Sequence, residues 1–344
     1  MKHIFYIHSY ITYYVSLEVI KYEKLYPRDC VFLYGRKFHS LTVPAGIKQM
    51  GIPFTHHPNN SFAVERKFWR GWRKISEFDQ FLQGLVKEQR FKLYTNQSGI
   101  DFIRLFMSHR QCSGFSFLEE GIASYYPLKQ MNTEVSPAGR STAFFKALLL
   151  LNFRGRLLPG KWFYDSRYDR VYGISEESFP GFPRRVLLAF PFYNIYPMPS
   201  YGHILVLDAT AEYGITSLKN MLVALEEGLA YLLKVGTDKL WVKYHPDQAS
   251  SVEVKRQYEQ VFARYSQYLD IEELPQPVCL ELVAGNEHNT ETVFYVFLSS
   301  VGIYAAQCGR EVYSFAAYIA RTDKEYGRRV KGLPDAFRQK VKFL

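Results

Sequence analysis

The chain has 344 residues, long enough for two α/β domains, with 47% hydrophobic and 22% charged residues, the balance of a globular protein. Its 43 Lys and Arg against 33 Asp and Glu leave a net charge of +10, which directs attention to anionic partners such as phosphorylated substrates or an acidic bilayer. Nucleic acid is excluded as the first choice, because no finger-type Cys/His spacing, basic heptad region or aromatic RNA-binding signature is present.

Taken in chain order, HIFYI (3–7) reads as a first strand and ITYYVSLEVIKYEKL as the helix after it. CVFLYG (30–35) is the next strand, then FDQFLQGLVKE a helix, FKLYT a strand, IDFIRLFMS a helix and CSGFSFLEE a strand. Strands alternating with helices of this length indicate a parallel sheet wrapped by helices. From Phe179 to Ser200 the pattern breaks, with five of the 16 prolines in FPGFPRRVLLAFPFYNIYPMPS. Proline removes a donor and fixes φ, so this stretch reads as a linker. The alternation then restarts with HILVLD (203–208), SLKNMLVALEEGLAYLLKV, KLWVKY (239–244), SSVEVKRQYEQVFARY, VFYVFL (293–298) and VGIYAAQCG. The expected organisation is an N-terminal α/β domain at 1–190, a linker at 191–202, a C-terminal α/β domain at 203–320 and a basic tail at 321–344. Two such domains on a hinge would face each other across a cleft, with ligands at the carboxyl ends of the strands.

Four constellations fall at those ends. His8 to Tyr10 follow the first strand. Glu119-Glu120-Gly121 close the last strand of the first domain, where adjacent carboxylates suit either a helix start or a general base of raised pKa. His245-Pro246 follow KLWVKY; a pre-proline imidazole is held extended and can face a phosphate, or simply sit at the surface. Ser299-Ser300 open a helix, as an N-cap or as an anion site beside free amides. A second His-Pro, His57-Pro58, shows that the dipeptide is easily met. P-loop, dinucleotide and HExxH patterns are missing from the sequence, so no metal or cofactor is expected. The four cysteines, Cys30, Cys112, Cys279 and Cys308, form no CxxC pair and are expected as reduced thiols in a reducing compartment.

Two basic clusters stand apart. RKFWRGWRK (66–74) interleaves five cations with Phe68, Trp69 and Trp72, and 321–344 carries eight basic and three acidic residues. Each reads either as a solvated face or as contact with an anionic bilayer. The longest apolar run, 143–153, is too short to span a membrane. The expectation is a cytoplasmic protein, with peripheral attachment to the inner face of the cytoplasmic membrane as an added hypothesis.

In order and on their respective domains, the acidic pair with glycine, the His-Pro and the serine pair resemble the motifs of bacterial sialyltransferases. That resemblance implies the α/β GT-B fold, two Rossmann-like domains, and an inverting, metal-independent transfer of sialic acid from CMP-sialic acid to a sugar hydroxyl. The acceptor it implies is an oligosaccharide of a bacterial surface glycan, ending in galactose and lipid-linked if the membrane contact holds. Carried over residue by residue, Glu120 is the general base, His245 the general acid or phosphate ligand, and Ser299, Ser300 and Pro246 form the phosphate site. Glu281 in PVCLELVAG would bind the ribose of the nucleotide. Glu119, Gly121 and His8 are supporting positions, and Asp208 and Thr210 are nucleotide contacts suggested by position alone. Because both acidic positions are glutamate, the choice of Glu120 over Glu119 rests on motif alignment. The competing readings are a CDP-glycerol glycerophosphotransferase or a Kdo transferase on the same fold, and a non-catalytic, membrane-associated glycan-binding protein.

Overall fold

The computed structural model describes residues 1–35, 43–53, 68–137, 156 and 162–344, with backbone only for 68–72. His57-Pro58, the apolar run 143–153 and Arg66-Lys67 of the basic cluster lie outside the described residues. The chain divides into two compact units, Met1–Pro191 and Phe192–Leu344.

The first unit is built on β1 (Lys2–Ile7), β2 (Cys30–Tyr34), β3 (Lys48–Gly51), β4 (Phe91–Thr95), β5 (Cys112–Leu118), β6 (Val171–Gly173) and β7 (Arg185–Leu187), in the order β3-β2-β1-β4-β5-β6-β7. The second is built on β8 (His203–Val206), β9 (Lys239–Lys243), β10 (Asp270–Glu273), β11 (Val293–Val296), β12 (Val312–Ser314) and β13 (Lys342–Phe343), in the order β10-β9-β8-β11-β12-β13. All these pairings are parallel. Each sheet starts at its centre, builds out one way, then returns to build out the other. This is the doubly wound Rossmann order, and its switch points lie between β1 and β4 and between β8 and β11. The fold is therefore α/β with two Rossmann-like units.

Burial on both faces explains the apolar central strands: Ile4, Phe5 and Ile7 in β1 are inaccessible to solvent, as are Leu205 in β8 and Phe294 in β11. Helix Phe68–Val86 turns Phe78, Leu82, Leu85 and Val86 into the first core, a spacing that lines one helical face. Helix Leu218–Lys234, capped by Ser217 Oγ accepting from the Asn220 amide at 3.1 Å, buries Met221, Ala224, Leu225, Leu229 and Leu232 in the second. Each buried Leu, Val, Phe or Met among them contributes about 1.5–3 kcal/mol.

Two segments differ from their sequence expectation. The proline-rich stretch contains β7, which pairs with β6 between the prolines, so the first sheet continues into it. Residues 321–344, expected as a basic tail, fold into helices Lys324–Lys331 and Asp335–Lys340 and the edge strand β13. Several of their cations are paired, Arg321 with Glu227 at 3.2 Å and Lys342 with Glu311 at 2.7 Å. All four cysteines are free thiols. Among the described residues, no helix is long and apolar enough to cross a membrane.

Candidate functional site

At the β1/β4 switch point, three neighbouring strand ends bring His8, Asn96 and Glu120 together. The polypeptide leaves β5 through Glu119 and Glu120, whose environments differ sharply. Glu119 is fully buried: Oε1 accepts from the Tyr125 hydroxyl at 2.7 Å and Oε2 from the Ile174 amide at 2.7 Å. Its own amide donates to the Tyr172 carbonyl at 3.0 Å, so Glu119 ties β5 to β6. Its carboxylate is committed to holding the sheet together.

Glu120 points elsewhere. Its side chain is 19% exposed, with Oε1 lying 3.0 Å from Nε2 of His8, itself almost completely buried. Neither ring nitrogen of His8 has an aligned hydrogen bond among the described residues, so the contact is close without being linear. The Asn96 amide donates to Glu120 Oε2. The Glu120 backbone N–H donates to Ser124 Oγ at 3.1 Å, closing the turn that follows the strand. Gly121 makes that turn possible. Its φ of 134° and ψ of −151° lie in a region that only glycine adopts without strain. The acidic pair followed by glycine is therefore a structural unit: one carboxylate anchors, the next projects, and the glycine turns the chain.

His8 also begins the first helix, through its neighbour Ser9. Ser9 caps Tyr10–Tyr22 in a reciprocal box with Thr12, and the His8 amide donates to Thr12 Oγ1 at 3.2 Å. The backbone on both sides of the imidazole is thus fixed.

In the second unit, His245 follows β9 and caps the short helix Pro246–Ala249. The Asp247 amide donates to its Nδ1 at 3.2 Å, which makes Nε2 the N–H of the neutral ring. The His245 amide donates to Gln248 Oε1 at 3.0 Å, and Pro246 sets the extended entry at φ −62°, ψ 145°. Tyr213 packs edge-on against the imidazole and donates its hydroxyl to Asp247 Oδ2. The turn therefore fixes the orientation of the ring, with Asp247 Oδ2 also 3.7 Å from Nδ1.

Ser299 and Ser300 follow β11 and are half-buried. Ser299 Oγ accepts from the Val301 amide at 3.3 Å, which is a capping bond. Ser300 occupies the formal cap of helix Val301–Gln307 in αR geometry and makes no side-chain cap bond. The two hydroxyls are thus unequal, with only Ser299 acting as a cap.

Asp208 and Thr210 follow β8, between these two groups in the sheet. Asp208 is buried. Its Oδ1 accepts from the Thr210 amide at 3.2 Å and hydroxyl at 2.7 Å, and Oδ2 from the Leu298 amide at 2.7 Å. The Asp208 carbonyl accepts from Gln248 Nε2 at 2.8 Å. Expected as nucleotide contacts, these residues join the ends of β8, β9 and β11 and hold the loops that carry His245 and Ser299. Burial pushes the Asp208 carboxyl above its usual range, against the opposing bonds from Leu298 and Thr210.

Glu281 lies on helix Leu280–Ala284, buried, with Oε2 accepting from the Cys279 thiol at 3.2 Å. Burial raises its pKa. Near it, Lys243 donates to the carbonyls of Pro275 at 2.6 Å and Gln276 at 2.8 Å, and burial pushes its ammonium down to about 8. Among the described residues, no group of three His, Cys, Asp or Glu side chains is placed to hold a metal ion.

Sequence reasoning missed Asn96, Ser124, Tyr125, Tyr213 and Asp247. Asn96 and Tyr213 act on partners that the fold brings in from elsewhere in the chain, Ser124, Tyr125 and Asp247 act within local turns, and none sits in a motif of its own.

No protein-family model matches this sequence, and no curated protein is found similar to it. Solved structures follow a similar chain path at low identity. A glycosyltransferase from Rickettsia africae is 9% identical, with 91% of this chain and 78% of its own covered and a TM-score of 0.43. A UDP-GlcNAc 2-epimerase from Methanocaldococcus jannaschii, solved with UDP-GlcNAc and UDP, is 11% identical, with 100% and 89% covered and a TM-score of 0.47. The wall teichoic acid polymerase TagF, solved as a variant, is 12% identical, with 98% and 81% covered and a TM-score of 0.45. The fold stands on the two strand orders rather than on these likenesses.

Proposed function

We propose that the protein is a glycosyltransferase that moves sialic acid from CMP-sialic acid to a sugar hydroxyl with inversion. One observation carries the reading. Of two adjacent glutamates, one is sealed into the sheet, while the other projects at a strand end beside a histidine and an amide. That division leaves one carboxylate positioned at a strand end, as a general base must be.

In this mechanism the acceptor hydroxyl gives its proton to Glu120. The oxygen electron pair forms the bond to the anomeric carbon as the carbon–oxygen bond to phosphate breaks, and that electron pair leaves with CMP. His245, with Nε2 as its N–H, donates to the departing phosphate. The Ser300 hydroxyl, which makes no cap bond, supplies a further donor where negative charge grows. Glu281 serves the ribose, and the chemistry calls on no metal. The acceptor is a terminal galactose of a bacterial surface glycan, and cations such as those of 66–74 suit a lipid-linked form of it.

His8 favours a second reading. A buried imidazole at the first strand end, touching Glu120, would also suit a CDP-glycerol glycerophosphotransferase, in which it takes the acceptor proton. The test separates the donors. With EDTA present, purified protein is given CMP-sialic acid and lactose, or CDP-glycerol and a polyol-phosphate acceptor, and loss of each donor is followed separately. Loss of CMP-sialic acid, abolished by His245→Ala, supports the first reading. Loss of CDP-glycerol alone replaces it with the second, and loss of neither removes both.

A further inference from the structure

The chemistry at Glu120 depends on which of its two oxygens meets the proton, and the first unit distinguishes them. Asn96 stands one residue beyond β4, the strand lying between β1 and β5, and is 2% exposed. From there its side chain reaches across to Glu120, where Nδ2 donates to Oε2. The amide orientation follows from chemistry: turned over, it would set its carbonyl oxygen against a carboxylate. The Thr95 hydroxyl, which donates to the Gln97 carbonyl at 3.2 Å, lies 3.5 Å from Asn96 Oδ1. The other carboxylate oxygen has a different neighbour, His8 Nε2 at 3.0 Å.

We propose that Asn96 is a positioning residue for Glu120, reserving Oε2 with a donor that cannot titrate and leaving Oε1, beside His8, as the oxygen that takes the acceptor proton. This rests on Glu120 acting as the base. An amide donor favours the ionised carboxylate over the acid, because the bond is stronger to the charged form. Among the described residues, the titratable groups near Glu120 include His8 from the end of β1, Glu119 from β5 and the buried Tyr164. The amide also fixes the carboxylate rotamer. In the step itself, the hydroxyl O–H bond breaks, the proton passes to Oε1, and the freed pair on the hydroxyl oxygen attacks the anomeric carbon.

The decisive variant is Asn96→Asp, nearly the same shape with a second carboxylate against Oε2. Titration of the Glu120 carboxyl is read by isotope-edited infrared spectroscopy, with the band assigned by its loss in Glu120→Gln. The pair then titrates as coupled carboxyls, and its first proton is taken up about one pH unit or more above the wild-type midpoint. Asn96→Ala, which lacks the charge, raises the midpoint by less. It lowers kcat about tenfold while the KM for CMP-sialic acid stays unchanged. A merely structural Asn96 would lower the urea midpoint without moving the carboxyl titration. Folded Asn96→Asp or Asn96→Ala protein with an unshifted Glu120 midpoint overturns the proposal. Should wild-type protein leave CMP-sialic acid intact, the donor reading fails while the infrared titration still decides the role of Asn96.

Discussion

Asp208 offers the sharpest stability test of the second unit. Both carboxylate oxygens are used, Oδ1 by two donors of Thr210 and Oδ2 by the Leu298 amide. In Asp208→Asn one edge must become a donor. If the oxygen stays on Thr210, the new amide meets the Leu298 N–H, and a half-buried backbone donor loses its acceptor. Such a loss costs about 1–3 kcal/mol, partly offset because a desolvated charge is removed. A net loss of about 2 kcal/mol is expected, lowering the urea midpoint by about 1 M for a slope near 2 kcal/mol/M. The pH dependence adds a second constraint. Burial raises the folded pKa of Asp208 above the ordinary 3.8. The folded state then holds this proton more tightly than the unfolded chain. Its contribution is fully present below the unfolded value and lost as pH rises through the folded one. Acidification from neutral pH should therefore increase the advantage of wild type over Asp208→Asn. Urea titrations of both proteins from pH 7 to pH 4, followed by circular dichroism, measure it. An advantage that shrinks on acidification would refute the reasoning, because the bonds from Leu298 and Thr210 would then outweigh burial.

Other expectations follow from the first unit. Glu119→Ala removes the acceptor of the Tyr125 hydroxyl and the Ile174 amide and should cost about 2–4 kcal/mol in urea unfolding, whereas Glu120→Gln should leave the midpoint nearly unchanged. Gly121→Ala places a Cβ at φ 134° and should cost about 1–3 kcal/mol, with loss of turnover because the Glu120 turn is distorted. Gly173→Ala brings a Cβ to 1.9 Å from Ser178 Oγ and 3.3 Å from Glu119 Oε2, so thermal unfolding should occur well below the wild-type temperature.

The central strands were legible because both their faces are buried, which makes them continuous apolar runs: HIFYI lies within β1, and CVFLYG, FKLYT and VFYVFL each contain a strand. The edge strands were not. β3 is KQMG and β10 is DIEE, both polar and largely exposed, and nothing in four residues separates them from loop. β7 has three residues among prolines, and only its partner β6 makes it a strand. The same limit governs the site. Glu119-Glu120-Gly121 was visible as a motif, but the separate duties of its two acids come from Tyr125, Ile174 and His8, which the chain brings in from other strands and loops. Asn96 in YTNQSG carries no signal of its own; its meaning is that β4 lies beside β5. Asp208 and Thr210 stood at the right strand end for a ligand, yet the bonds they make are to Leu298 and to each other. Position along a strand was readable, whereas the direction of a side chain's commitments was not.

The base assignment is tested most directly by the rate of sialic acid transfer from CMP-sialic acid to lactose, comparing wild type with Glu120→Gln at matched folded fraction. The account predicts a fall of about 10²–10⁴ in kcat with the urea midpoint preserved. A Glu120→Gln protein that transfers at the wild-type rate would contradict it.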